Sequence, residues 1–527
     1  MATDGQPAPA RRQVLLGGGA AAAAAVLAPP ASSSAASSAR RAGLPRLDGD
    51  RLRRWARDTW TSLVAMTDEE TGLPADGVEA SLAARTRSGY TSPTNIGGYL
   101  WSAVAAREIG VLGADECTAR VRRTLTTVMD LPHHVPSGML YNWYDEADGT
   151  VVTTWPDSGE RVVPFLSSVD NGWFGAALHV VRTAVPDVRD LADPLVRRLR
   201  WDAFYDPGAS RPGGLLHGGF YDSPPPEGAA VSRGNHLGTG DDVWLTDHHY
   251  DTHVSESRIA GYLGLVRGQV PSDWYFAPWR TFPAGCDWSW QQAEPLGRTR
   301  TYDGAEVFEG AYAYRGMRVV PGWGGSMFEE LMPDVFVPEA RWGRRSWGVN
   351  HPAHVRAQRE HGLEEAGYGY WGFSPASNPF GGYREYGVDA IGMNPGGYFS
   401  DVEGTDVDPG VAGCRAATAP APTFGDGVVT PHASFLAMAY EPREAQANLV
   451  GLEDELGAYG DGGFLDAVAV RSGTLARRHL SLDQSMCLGA LGNVLGDDVL
   501  RRAFGTPDVQ RALRPVMGQE VFGARLS

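Results

Sequence analysis

In THVSESRIAGYLGLVRGQVP, residues 252–271, the apolar residues Ile259, Tyr262, Leu263 and Val266 follow the i, i+3, i+4, i+7 spacing of a buried helix face. Glu256 falls one turn before Ile259, on the same inward side. The pattern predicts a helix over 255–267 with a carboxylate aimed into the protein. Such a group is either half of a buried ion pair with one of the many arginines or a working acid. Further carboxylates lie in aromatic, Gly-rich settings: Asp170 in PFLSSVDNGWFGAAL, Glu329 and Glu330 in WGGSMFEELMPDVF, and Glu385 and Asp389 in GGYREYGVDAIGM. Asp170 opens a helical pattern and could equally be its N-cap. Inward carboxylates in pairs suit glycosidic bond cleavage, which needs one protonated carboxyl for the leaving oxygen and one ionised carboxylate to activate water or attack directly. Spacing alone does not say which two residues would share the work.

Other chemistries are excluded or set aside. The chain has no G-x-S-x-G nucleophile elbow, no Walker A loop and no H-E-x-x-H pair. In DHHYDTH, His249 and His253 could share a helix face beside His248. The segment is loop-like and no carboxylate partner can be read from sequence, so no metal is expected, and sugar hydroxyl recognition by an imidazole is the better reading. No cofactor motif is present. The net charge of −17, with no Lys in the chain, argues against nucleic acid or an anionic membrane as partner. Sixteen Trp, 19 Tyr and 17 Phe beside 67 Gly lean toward carbohydrate, because aromatic faces stack on the C–H faces of sugar rings. Many of those aromatics must also be core.

The elements that would position these residues are helical. Apolar stripes of about 3.6-residue period run through 50–66, 94–110, 116–131, 171–186 and 188–201, with further candidates at 351–364, 431–440, 442–458, 482–495, 497–504 and 507–514. Ser92-Pro93-Thr94, Thr430-Pro431 and Glu441-Pro442 mark helix starts. Long Gly/Pro/aromatic loops separate them at 133–170, 205–250 and 365–430, and strand-like alternation is confined to short pieces such as 315–320 and 468–471. Many helices with elaborate loops predict an all-α fold, an α/α toroid whose loop-rich end holds the site. The low-complexity tract 413–427 reads as a loop inside a single domain, 43–527, rather than as a linker.

Arg11 and Arg12 precede an Ala- and Leu-rich run that ends in small residues, so residues 1–42 read as a twin-arginine export signal followed by an Ala/Ser segment. The expectation is a secreted, monomeric protein without stable membrane insertion. The cysteines show no CxxC pair; Cys117 and Cys487 read as buried thiols, whereas Cys286 and Cys414, in loop-like sequence, could pair outside the cytoplasm.

SPTNIGGYLWS (92–102), GMLYNWYDEADG (138–149), LSSVDNGWFGAAL (166–178), SESRIAGYLGLVRGQVP (255–271), GWGGSMFEELMP (322–333), YGYWGFSPASNPFGGYREYGVDAIGM (368–393) and GDGVVTPHASFLAM (425–438) resemble, in order, the bacterial glycoamylase-like family. That family includes endo-β-1,2-glucanases and a domain of cyclic β-1,2-glucan synthases. The resemblance implies an (α/α)6 barrel acting on β-glucans. Ser255-Glu256-Ser257-Arg258 is similar to the Asn-Glu-Ala-Leu and Ser-Glu-Ala-Arg helix starts of the family, which makes Glu256 the candidate general acid. Asp170 matches the acidic residue of the Ser-Thr-Val-Asp-Ser-Gly motif and is the candidate base, acting directly or through water. Glu329 matches the family glutamate of Met-Phe-Glu-Tyr-Leu-Met-Pro, while Glu330 replaces an aromatic and could alter a sugar subsite. Around them, Asn142, Trp143, Asn171, His253, Tyr370, Trp371, Tyr383, Arg384 and Glu385 are expected to hold sugar. The implied function is a secreted inverting hydrolase cutting within a β-linked glucan, β-1,2 favoured. The alternatives are a retaining transglycosylase, a glycan-binding protein without turnover, and a lyase; the last is disfavoured by the lack of an Arg/Lys-rich groove for uronates.

Overall fold

Helices that are buried all round alternate along the chain with helices buried on one face. In the first pair, α1 (Gly49–Met66) buries a stripe that includes Leu52, Trp55, Leu63 and Met66 and turns its arginines outward. The second, α2 (Pro93–Glu108), has no charge before Arg107 and is buried from Pro93 to Ala106. The alternation continues with one-faced α3 (Ala114–Asp130) and enclosed α4 (Ser168–Ala184), then one-faced α5 (Arg189–Arg198) and enclosed α6 (Arg258–Val266). The short buried α7 (Met327–Leu331) is followed by α8 (Glu339–Trp342) and by α9 (Trp347–Glu360), which packs on α7. Enclosed α10 (Pro431–Ala437), one-faced α11 (Pro442–Asp454), enclosed α12 (Ser481–Leu495), and then α13 (Val499–Phe504) and α14 (Pro507–Gln519) complete the order. This computed structural model describes residues 47–209, 211–283, 293–393, 410, 413, 416–417 and 424–525. The export segment 1–42 and the Cys286 and Cys414 pairing lie outside the described residues.

The enclosed helices pack on one another: α12 on α2, α2 on α4, α4 on α6, α7 on α10, and α10 on α12. Between α6 and α7 the link is polar, with the Arg258 guanidinium donating to the carbonyls of Glu329 and Glu330. One contiguous apolar core runs from Leu52 to Phe522. Cys117 and Cys487 are buried free thiols, as expected. Among the described residues no helix is long and apolar enough to cross a membrane.

The fold is helix-rich but not all-α, which corrects the sequence reading. The loops pair with themselves. Leu296–Tyr302, Ala305–Tyr314 and Met317–Val319 form an antiparallel three-stranded sheet, whose hairpin turns at Asp303 and Gly304, both left-handed in φ. A four-stranded sheet joins Leu166–Ser167, Gly219–Tyr221, Val243–Thr246 and Val231–Gly234, and a three-stranded one joins Tyr205–Asp206, Leu215–His217 and His249–Tyr250. Long loops lying on a core must satisfy their backbone N–H and C=O groups, and short ladders are how these do so. Most of these strands are too short to show alternation in sequence.

Close helix approach depends on glycine. A Cβ on Gly261 of α6 would lie 1.8 Å from the Trp274 ring. Gly261→Ala is expected to cost about 1–3 kcal/mol by overpacking; a denaturant midpoint unchanged from wild type would contradict this packing.

Candidate active site

The starts of the enclosed helices gather the acidic residues. Ser167 caps α4 by accepting the Asp170 N–H at 3.1 Å, so Asp170 is the third residue of the helix and not its cap. Its carboxylate instead accepts a short hydrogen bond from the Thr94 hydroxyl. Thr94 stands in the first turn of α2, behind its own cap Ser92, and its neighbour Asn95 donates to Asp76 at 3.0 Å. Asp483 sits in the first turn of α12. Thr94, Asn95, Asp76, Asp170 and Asp483 line one cleft together with Trp143 and Tyr383. Backbone N–H groups at these helix starts favour negative charge there.

Glu256 belongs to the tight turn that precedes α6, which begins at Arg258 and not at Ser255. The turn closes with bonds from Arg258 N–H to the Ser255 carbonyl and from Ile259 N–H to the Glu256 carbonyl. The Glu256 N–H, which has no intrahelical partner there, donates to the Glu329 carboxylate at 2.6 Å. The Glu256 carboxylate accepts from the indole N–H of Trp173 at 2.5 Å. Trp173 is three residues after Asp170 on α4, so both lie on one face of that helix. The two candidate catalytic carboxyls are thus held to the same face of α4, Asp170 directly and Glu256 through Trp173.

Arg258, two residues after Glu256, pairs with a different carboxylate. Arg258 is 2 % exposed and clamps Glu339 with two hydrogen bonds of 2.8 and 2.9 Å, while its remaining donors hold the carbonyls of Ser255, Glu329 and Glu330. Ser326 caps the short helix that carries Glu329, whose carboxylate accepts the Glu256 N–H. The expectation of a sugar subsite at Glu330 is wrong: its carboxylate is fully buried against Asn350 and His351.

Around Arg258 the buried charges reinforce one another. Burial opposes ionisation of Glu339, but the Arg258 guanidinium outweighs it and holds the pKa at about 2. Burial likewise opposes charging His351, yet Glu330, with Glu339 beyond it, raises its pKa from 6.5 to about 9. Protonated His351 therefore contributes stability that is fully present below pH 6.5 and is lost as pH rises through 9. Thermal melts should fall between those values by the equivalent of ~3 kcal/mol, and His351→Gln should remove that slope; a flat wild-type profile would refute the charged histidine.

Of the expected sugar contacts, the structure brings Trp143 and Tyr383 to the cleft. Trp143 packs edge-on with Tyr90 and Trp155, both at 5.3 Å. Asn142, beside it, is buried with its Oδ1 lacking a hydrogen-bond partner. On the Tyr383–Arg384 strand, Arg384 is exposed, and Glu385 next to it is half-buried, with burial raising its pKa to about 7.

Four residues belong elsewhere. Asn171 spends its whole amide on the backbone of Leu140 and Ser167, tying a loop to α4. His253 is a core residue 1 % exposed, packed on Trp347 and Tyr275 and kept neutral by burial with a pKa of about 4. Trp371 is core, and Tyr370 packs on Gly451 of α11 with its hydroxyl on Glu455. Their aromatic character reflects packing. Conversely, Asp76, Thr94, Asn95, Trp173 and Asp483 escaped the sequence reading. For Thr94, Asn95 and Asp483 the signal lay in SPTN and LSLDQS, polar residues just inside helix starts.

Comparison with known proteins now has a geometry to refer to. Residues 297–506 match the Glycoamylase family, described as "Putative glucoamylase", and residues 54–209 match a family of unknown function, DUF3131. A cyclic β-(1,2)-glucan synthase of Rhizobium meliloti is 25 % identical over 88 % of this chain, which spans only 18 % of that relative's length. A Bacteroides uniformis structure with the same glucoamylase description superposes with a TM-score of 0.63 at 16 % identity, covering 90 % of this chain and 98 % of that one. An endo-β-1,2-glucanase from Chitinophaga pinensis, solved with sophorotriose and glucose, gives 0.59 at 14 % identity over 89 % and 98 %. The resemblance to the glycoamylase-like family carried by the motifs is therefore shown, by a family match in the second half of the chain and by a common fold over 90 % of it.

Proposed function

We propose that this chain is an exported glycoside hydrolase that cuts within a β-linked glucan, β-1,2 the favoured linkage, with inversion. The observation that carries the reading is the tethering of Glu256 and Asp170 to one face of α4 beside the acidic, aromatic cleft. Glu256 protonates the leaving oxygen. Asp170, oriented by the Thr94 hydroxyl, activates the attacking water, and Trp143 and Tyr383 stack on the sugar rings. The enclosed and one-faced helices read as the inner and outer layers of an (α/α)6 barrel in one domain, with the cleft at the starts of the inner helices. The fold shared with endo-β-1,2-glucanases and the synthase relative support β-1,2-glucan. A monomer suffices, since every group named comes from one chain.

The Glu329 carboxylate bonded to the Glu256 amide favours a second reading, a retaining pair with Glu329 as nucleophile. Retention wants carboxyls about 5–5.5 Å apart, inversion about 6.5–9.5 Å. Digesting linear β-1,2-, β-1,3- and β-1,6-glucans and furanose-containing cell-wall glycans, with the first-formed anomer read by proton NMR, separates the readings. An α product from β-1,2-glucan supports inversion and a β product supports the Glu329 route. Binding without turnover on the whole panel would leave a glycan-binding protein.

A further inference from the structure

The small sheet between α5 and α6 carries a second constellation, remote in role from the carboxyl pair. Its register places His249 opposite His217, and Asp206 opposite Leu215, two residues from His217. Side chains of period two therefore put Asp206, His217 and His249 on one face. Asp206 Oδ2 lies 3.0 Å from His249 Nε2 and 4.0 Å from His217 Nε2. His236, from the loop after the neighbouring sheet's edge strand, brings its Nε2 to 3.1 Å from His217 Nε2.

We propose that Asp206, His217 and His249 are the protein ligands of a divalent transition metal, zinc in the exported protein, with His236 beside His217. A tetrahedral zinc with bonds of about 2.0–2.1 Å holds its ligand atoms about 3.3 Å apart, and the spacings of 3.0 and 4.0 Å from Asp206 Oδ2 to His249 Nε2 and His217 Nε2 bracket that value.

The surroundings orient the donors as a metal requires. His217 Nδ1 faces the Thr246 carbonyl at 2.6 Å and must donate to it, which leaves Nε2 as a lone pair directed at the cluster. The Gly208 N–H holds Asp206 Oδ1 at 2.8 Å, turning Oδ2 inward. Asn235 braces the His236 loop with bonds to the carbonyls of Thr239, Gly240 and Asp241 and to the Leu237 N–H. Asp334, Glu339 and His351 also converge, but Arg258 already clamps Glu339, which makes that cluster an ion-pair network. The metal, held by three protein donors, keeps a fourth tetrahedral position for water. It would pin the loop segment that runs through Thr246 and His249 into the Glu256 turn.

Chelator-treated full-length protein, dialysed against zinc and analysed by mass spectrometry of the metal, is expected to hold one zinc per chain. Cobalt in its place should give the visible bands of a tetrahedral site. His249→Ala and Asp206→Asn should each weaken zinc binding by more than about 10-fold, and zinc should raise the melting temperature of the wild type but not of the double variant. Zinc lost on dialysis, or zinc content equal in wild type and a folded Asp206→Asn/His249→Ala protein, would overturn the site. Octahedral cobalt bands would overturn the four-ligand geometry. These readouts do not involve glucan turnover, so they stand apart from the hydrolase reading.

Discussion

Glu256→Gln should lower kcat on the preferred glucan by about 10²–10⁴-fold while glucan binding stays within a few-fold of wild type. The substitution removes one proton and little else. Gln keeps the length and shape of the side chain, and its carbonyl oxygen can still accept the Trp173 N–H. The Glu256 backbone amide, held by Glu329, is untouched. The loss would therefore report the acid's proton and not a collapsed turn. Reducing-end assays give kcat, and calorimetry with a non-hydrolysed oligosaccharide gives affinity. Near-wild-type turnover would remove Glu256 from the chemistry, and loss of binding with turnover retained at saturation would make it a substrate clamp.

Arg258→Met is expected to destabilise the protein by about 3–5 kcal/mol and to lower activity in whatever fraction remains folded. The physical reason is the company Arg258 keeps. It is the bidentate partner of Glu339, it stacks over Trp347 at 4.5 Å, and it holds three carbonyls from two helix starts. Without it, Glu339 retains the Tyr262 hydroxyl and His351 but loses its closest positive charge in a site closed to water. The Ser255 carbonyl is also released, and with it the turn that presents Glu256. Chemical denaturation measures the first effect. Adding Glu339→Gln to Arg258→Met should recover a large part of the stability, because it removes the stranded charge, while leaving the activity defect. A single-variant loss below about 1 kcal/mol would show that the pair is solvated.

The helices were legible because burial writes itself on a helix as periodicity. α1 and α3 show a stripe and pack on one face, while α2, α4 and α12 show almost unbroken apolar or small residues and are enclosed. The sheets were not, since a two- or three-residue strand such as His249–Tyr250 leaves no pattern, and its pairing partner lies 32 residues away in His217. Aromatic residues misled for the same reason. Trp143 and Trp371 look alike as letters, yet one lines the cleft and the other is 2 % exposed in the core.

The carboxylates divide along the same boundary. The sequence alone determined that Glu256 is an inward acid beside a buried helix and that Asp170 stands at a helix start, because both facts depend on neighbours within one or two turns. It could not decide what each carboxylate meets. Arg258 stands two residues from Glu256 but pairs with Glu339, 81 positions away; Asp170 reaches Thr94, 76 positions away; and Glu256 meets Trp173 across 83. Local hydrogen bonding and periodicity act over a few residues and are written in the chain. Charge pairing and site assembly act over a few ångströms between segments that only tertiary packing brings together.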